Sequence, residues 1–310
     1  MTSTSPLPYS AERPREVLRA IPGGKTGDDA LGMLLDLFRR DLDPCDLRNR
    51  DVAYIKVVSR LLYAVGVRYF RAECEGVENL PTSGQFIAVG NHSGAPLMPD
   101  VAVLGAWWAL EMGLDHPSYL MVHDFPFRIP VLRNFLSKIG AMPASRENAE
   151  RVLRSGARLL CFPGGELDCL RSFRDRNRVH LYGRTGFVKL AYKYGVPIVP
   201  FVNIGGHEVY CTLFSSQRLA RWTGLARFAR VKTVPVNLGL PWGLWVTGFI
   251  PYLPLPSKLV YKVGEPIELE HAPELADDPD AVQRAYDRVT GVMQDMMDDL
   301  ARRRRFPVIG

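Results

Sequence analysis

The sequence predicts an α/β fold, a mixed sheet flanked by helices, with amphipathic helices at the N-terminal end and one at the C-terminal end. Three observations carry that prediction. From residue 72 onward, short apolar runs alternate with stretches of helical period, the pattern of strands joined by crossover helices. The 310 residues are 47% apolar, which supports a large buried core and excludes disorder as the main state. No Gly/Ser or Pro-rich linker divides the middle of the chain, so one catalytic domain is expected over 72–270.

Taken in order, residues 1–26 hold Pro6, Pro8, Pro14, Pro22 and a Gly-Gly pair and read as a mobile arm. Within 27–71 two helices are expected. Asp28 or Asp29 caps the first, which runs to about Arg40 with Leu31, Leu34, Leu35 and Phe38 on one face. The second, from about Asp51 to Phe70, is apolar around most of its circumference, with Lys56, Arg60 and Arg68 near one stripe; such a helix is buried or lies in an interface. Strands are expected at 86–90, 118–122, 158–162, 197–202 and 259–263, and helices at 100–113, 128–138, 146–155 and 184–195. Residues 207–256, with Trp222, Trp242, Trp245 and Phe249, form an apolar insertion between strands. Over 271–310 an amphipathic helix near 279–303 is followed by a basic tail.

The net charge is +6. Between Arg146 and Lys193 stand eleven basic and five acidic residues, so the whole excess lies in one segment and favours an anionic partner. No recognition motif for nucleic acid accompanies the Arg-rich stretch 171–178, so nucleic acid is not the expected partner. Five cysteines at irregular spacing give neither a zinc pattern nor a disulfide framework, which favours a reducing cytoplasm. The N-terminus lacks the basic-then-apolar pattern of a secretory signal. The apolar stretch 52–67 is broken by Lys56 and Arg60, and 238–256 by four prolines, so neither reads as a membrane span. A protein of this kind that meets a membrane lies on its surface.

Four short constellations carry chemistry. Val89-Gly90-Asn91-His92 ends a buried strand, and a Gly/Pro-bent loop leads to Asp100 at a helix start. An Asp that accepts from one imidazole nitrogen fixes the tautomer and leaves the other as a base near neutral pH; Asp100 as a plain helix cap beside a structural His92 is the competing reading. Cys161-Phe162-Pro163-Gly164-Gly165-Glu166 is a strand end entering a turn whose backbone N–H groups can face an anion, although Pro-Gly-Gly is also an ordinary turn. Arg146, after Gly140 to Ser145, stands at a helix start and suits a phosphate. The prolines of Val196-Pro197-Ile198-Val199-Pro200-Phe201 mark an irregular sheet edge. His207, in Gly205-Gly206-His207-Glu208, is read as structural.

In this order the four blocks resemble those of the glycerophospholipid acyltransferase family, the lysophosphatidic acid and glycerol-3-phosphate acyltransferases, over roughly residues 72–206. The resemblance implies a glycerolipid acyltransferase-like fold, His92 as general base, Asp100 as its orienter, and Arg146, Phe162, Pro163 and Gly165 at the substrate site; Gly164 and Glu166 are expected beside them, and Arg171 is read as a further phosphate contact. It implies an acyl-CoA or acyl carrier protein donor, a lipid acceptor and no cofactor or metal. Two departures set this chain apart. Asp100 follows His92 by eight positions where the family has five, and the family's glutamate position is Gly164, with Glu166 the nearest carboxylate. With Arg184-Thr185-Gly186-Phe187, they place the sequence nearer the diacylglycerol and transmembrane-protein-68-like branch. The expected activity is O-acyl transfer to a lysophospholipid or other glycerolipid at an anionic membrane, peripherally on its cytoplasmic face. The rivals are a neutral acceptor such as diacylglycerol or a long-chain alcohol, an acyl-CoA thioesterase, and a non-catalytic lipid-binding protein.

Overall fold

The computed structural model describes residues 32, 35–94, 97–222, 233–246 and 252–310. The expected arm over 1–26 and residues 28–31 and 33–34 of the first expected helix lie outside them; 32 and 35–39 are helical. Among the described residues eight helices follow: α1 (Val52–Arg68), α2 (Pro99–Glu111), α3 (Pro130–Lys138), α4 (Arg146–Arg154), α5 (Gly165–Cys169), α6 (Gly186–Tyr194), α7 (Gln217–Trp222) and α8 (Pro279–Arg303). They alternate with strands β1 (Glu73–Glu75), β2 (Ile87–Gly90), β3 (Ser118–Val122), β4 (Ala141–Pro143), β5 (Arg158–Cys161) and β6 (Ile198–Ile204). Strands β7 (Cys211–Ser216), β8 (Val234–Gly239), β9 (Gly243–Val246) and β10 (Val260–Val263) complete the set.

Seven strands form one sheet in the order β1-β10-β6-β2-β5-β3-β4. Every neighbouring pair is parallel except β10 with β6. The fold is therefore a mixed α/β sheet with β2 near its centre. Period-two alternation along the strands builds two cores. Ile87, Val89, Leu159, Ile198 and Val202 face α4, α6 and α8, whereas Phe86, Ala88, Leu160, Val199 and Phe201 face α1 and α2. Gly66 lets α1 approach α2, because a Cβ there would stand 2.7 Å from Val103 Cγ1. On α1, Tyr54, Ile55 and Tyr63 are buried while Val57, Leu61 and Val65 stay exposed.

The structure corrects one reading. The prolines of 196–201 do not mark an edge, because β6 lies between β10 and β2 in the middle of the sheet. Pro200 is tolerated because its missing N–H faces the β10 side, where the ladder ends at Val263 opposite Phe201; its carbonyl still accepts from Gly264 N at 2.8 Å. The 207–256 stretch holds a second sheet, antiparallel in the order β7-β8-β9, which hydropathy alone left as an apolar insertion. The C-terminal arginines are largely taken up within the protein: Arg302 faces Asp299, Arg303 pairs with Glu75, and Arg304 with the buried Glu208.

Candidate active site

His92 leaves the C-terminal end of β2, and Gly94, at φ +73°, turns the chain back toward α2. Met98 N donates to the Gly94 carbonyl at 2.8 Å and Met98 adopts a left-handed conformation before Pro99 opens the helix. That turn brings residues eight apart together. His92 Nδ1 lies 2.9 Å from Asp100 Oδ2, which also accepts from Ser93 N at 2.7 Å and Ser93 Oγ at 3.2 Å. The carboxylate is buried in the first turn of α2, where the helix N-terminus favours negative charge. Asp100 Oδ1 has no hydrogen-bond partner among the described residues, so the binding capacity of this carboxylate is concentrated on Oδ2.

Burial works against a charged imidazole, yet the Cys169 sulfur and the Asp100 carboxylate beside the ring outweigh it and hold His92 well above the usual histidine range. Burial also pushes the Cys169 thiol up, against the pull of the adjacent His92 ring. With Nδ1 held by Asp100, Nε2 is the nitrogen left for proton transfer.

The backbone of His92 is anchored at its N–H. Its N–H donates to Asp168 Oδ2 at 2.6 Å, and the buried His207 ring stands close to its main chain. Arg171 joins the two: its Nη1 lies 3.3 Å from Asp168 Oδ1, and its Nε donates to His207 Nε2 at 3.0 Å. Burial and the adjacent Arg171 hold His207 well below the ordinary histidine range, so it stays neutral. Below the site, Asn91 Nδ2 donates to the Asn203 carbonyl at 3.0 Å and Asn203 N donates to Asn91 Oδ1 at 2.7 Å, which ties β2 to β6. Gly206 closes the packing, since a Cβ there would stand 1.9 Å from Ser93 Oγ.

The other sequence-predicted residues separate into three places. Phe162 stacks at 5.0 Å on the His92 ring and, with Pro163, lines a cleft of about 400 Å³. Arg146 lies on the rim of the same cleft with Arg184, Lys189 and Lys193; its side chain is 72% exposed and its Nε donates to Glu150 Oε1 at 3.1 Å. Arg171 is away from this cleft. Its side chain is only 4% exposed, and its N–H groups serve His207 and the carbonyls of Arg176 and Arg178, so it holds the site together instead of presenting charge to a ligand. The Gly-Gly turn has a packing reason of its own. A Cβ on Gly164 would meet Asp168 Cβ at 2.4 Å, Gly165 sits at φ +54°, and the Gly165 N–H is committed to the Phe162 carbonyl at 3.0 Å. Glu166 stands beside His123, Oε2 to Nε2 at 3.8 Å.

Sequence reading missed Asp168, Ser93, Asn91 and Asn203, and gave His207 no partner. The signal present was the Asp168–Arg171 spacing of three across the end of a short helix, which is too common on surfaces to single out. Among the described residues no group of three or more His, Cys, Asp or Glu side chains could hold a metal ion.

A buried His–Asp pair therefore stands at a strand end with a cleft beside it. An acyltransferase family model matches residues 71–203. An uncharacterized protein of Mycobacterium tuberculosis strain H37Rv is 34% identical over 254 residues, covering 80% of this chain and 67% of its own. Human diacylglycerol O-acyltransferase 2 is 33% identical over 218 residues, 66% of this chain, which spans about half the length of that protein (54%). A crystal structure of the 1-acyl-sn-glycerophosphate acyltransferase PlsC from Thermotoga maritima covers 87% of this chain and 88% of its own, with 19% identity and a TM-score of 0.48. The chain belongs to the glycerolipid acyltransferase family, nearer its diacylglycerol acyltransferase branch.

Proposed function

We propose that this protein transfers a fatty acyl group from acyl-CoA to the hydroxyl of a neutral glycerolipid, with His92 as general base and Asp100 as its orienter. The observation that carries the reading is the 2.9 Å contact of His92 Nδ1 with Asp100 Oδ2, one ring away from the cleft lined by Phe162. His92 Nε2 takes the proton of the acceptor hydroxyl as its oxygen attacks the thioester carbonyl. Collapse of the tetrahedral intermediate expels the CoA thiolate, which recovers that proton from the imidazolium, so the products are an ester and free CoA. A thioester is already activated, and no cofactor or metal enters these steps.

Two features favour a neutral acceptor. Arg171 is committed to Asp168 and His207, which removes one of the two arginines expected to hold an acceptor phosphate. The relatives named for diacylglycerol acylation point the same way. Arg146, Arg184, Lys189 and Lys193 around the cleft then serve the phosphates of the donor. The same four cations favour a second reading, a lysophospholipid acceptor with its phosphate in the cleft. The protein would work peripherally at an anionic membrane, on its cytoplasmic face; no described helix is long and apolar enough to cross one.

The test is incubation of purified protein with radiolabelled acyl-CoA and a panel of diacylglycerol, monoacylglycerol, long-chain alcohols, lysophospholipids and glycerol phosphate. Labelled triacylglycerol or wax ester supports the neutral-acceptor reading, and labelled phospholipid supports the second. Release of free fatty acid with no acceptor dependence identifies a thioesterase instead, and no turnover at all leaves a lipid-binding protein.

A further inference from the structure

We infer that the outer face of the β7-β8-β9 sheet is the surface by which this protein rests on lipid, directly over the catalytic loop. The inference builds on the reading above, that the acceptor is a lipid presented at a membrane surface, and it assigns the contact to one face.

The register of the sheet separates its two faces. Phe214 pairs with Val236 and Val236 with Val246, while Leu238 pairs with Leu244, so these five side chains stand together on one face. Leu244 is 63% exposed, Val246 and Phe214 54%, and Leu238 49%. No charged residue belongs to these three strands. An edge-to-edge antiparallel sheet in water ordinarily shows polar residues on its open face, and a contiguous apolar one marks a contact surface.

The opposite face roofs the active site. Thr212, Asn237 and Trp245 point inward, with Thr212 Oγ1 donating to Asn237 Oδ1 at 2.9 Å. Trp245 joins Tyr210 and Tyr252 in an aromatic cluster, and Tyr252 Oη donates to the Gly94 carbonyl at 2.9 Å, in the loop between His92 and Asp100. Ser215 Oγ donates to the Leu170 carbonyl, next to Cys169. One thin sheet therefore has the catalytic loop beneath it and an apolar surface above it.

The occupant follows from chemistry and charge. Arg218 and Arg221 on α7, immediately after β7, are exposed at the border of the face, together with Trp222, and Trp242 is exposed in the β8–β9 turn. An apolar patch rimmed by tryptophan and arginine matches the layering of a bilayer surface, with acyl chains inside and headgroup phosphates outside. The exposed apolar residues of α1 extend the same kind of surface, and Tyr69, just past its end, donates to the Pro254 carbonyl at 2.5 Å in the segment after β9. A neutral glycerolipid resides in the membrane, so this face would hold the loop that carries His92 close to the acceptor's source.

The experiment uses the full chain with vesicles of phosphatidylcholine and phosphatidylglycerol. Wild type is expected to float with them, and Leu244→Glu/Val246→Glu to lose at least tenfold in vesicle partitioning with an unchanged melting transition. Brominated phosphatidylcholine in the vesicles should quench wild-type tryptophan fluorescence, and Trp242→Phe should lose a large share of that quenching. If wild type floats and the double variant floats equally well, with quenching untouched by Trp242→Phe, the assignment to this face is wrong while membrane binding stands. If wild type does not bind vesicles, the membrane reading fails first. A wild-type dimer in light scattering that the double variant converts to monomer, without an effect on flotation, overturns the proposal in favour of a second copy of the chain.

Discussion

The main-chain N–H of His92 donates a 2.6 Å hydrogen bond to Asp168 Oδ2, across 76 positions of sequence. A general base is useful only where its ring is held to within a fraction of an ångström of the reacting proton, and a backbone anchored at the residue itself supplies that precision. Asp168 is fully buried with Arg171, so the anchor depends on a second buried charge.

Removing that partnership is expected to show first as lost stability. Asp168→Ala leaves the Arg171 guanidinium buried without its carboxylate, a change that costs about 3–5 kcal/mol in comparable pairs. Urea denaturation should show a loss in that range. A loss below about 1 kcal/mol would show that Arg171 is satisfied by His207 and backbone carbonyls alone.

At the base itself the outcome should be kinetic. His92→Ala is expected to lower the rate by about 10²–10⁴-fold with the circular dichroism spectrum unchanged. Asp100→Asn should be comparably severe, because an amide facing Nδ1 favours the wrong tautomer. A folded His92→Ala protein that keeps more than about a tenth of the rate removes His92 from the base role.

The pH profile has a definite sign. A base works in its neutral form, and the environment of His92 raises the pH at which that form appears. Activity should therefore be low in acid and rise with pH, with the midpoint of the kcat/KM limb above the ordinary imidazole value of about 6.5. A midpoint below it would mean that burial outweighs Asp100. His207 is held neutral and contributes no limb in this range.

Arg146 distinguishes the two acceptor readings. If the cleft takes donor phosphates, Arg146→Ala raises the KM for acyl-CoA by the equivalent of about 1.5–3 kcal/mol and leaves acceptor kinetics alone. A matching rise in the KM for a lysophospholipid, with acyl-CoA unaffected, assigns the cleft to the acceptor.

The sequence by itself determined the features that local chain chemistry controls. Strand β3 and helix α8 fall at the expected residues, because apolar period and terminal residues such as Pro279 are properties of a short window. The His92–Asp100 contact was legible for the same reason: glycine and proline in an eight-residue loop fold it back on itself. Only tertiary structure decided what meets across long separations. Arg171 is read from sequence as a further phosphate contact. The fold instead buries it between Asp168 and His207, where desolvation makes an internal carboxylate and imidazole its necessary partners. Pro200 reads as an edge residue, yet it is accommodated in the interior because the neighbouring ladder stops one residue short of its missing N–H. The roof over the catalytic loop was likewise invisible. Its strands turn Thr212 and Asn237 inward and leave Phe214, Leu238, Leu244 and Val246 exposed, the reverse of the usual alternation, so only cross-strand pairing separates the surface that covers His92 from the one left exposed.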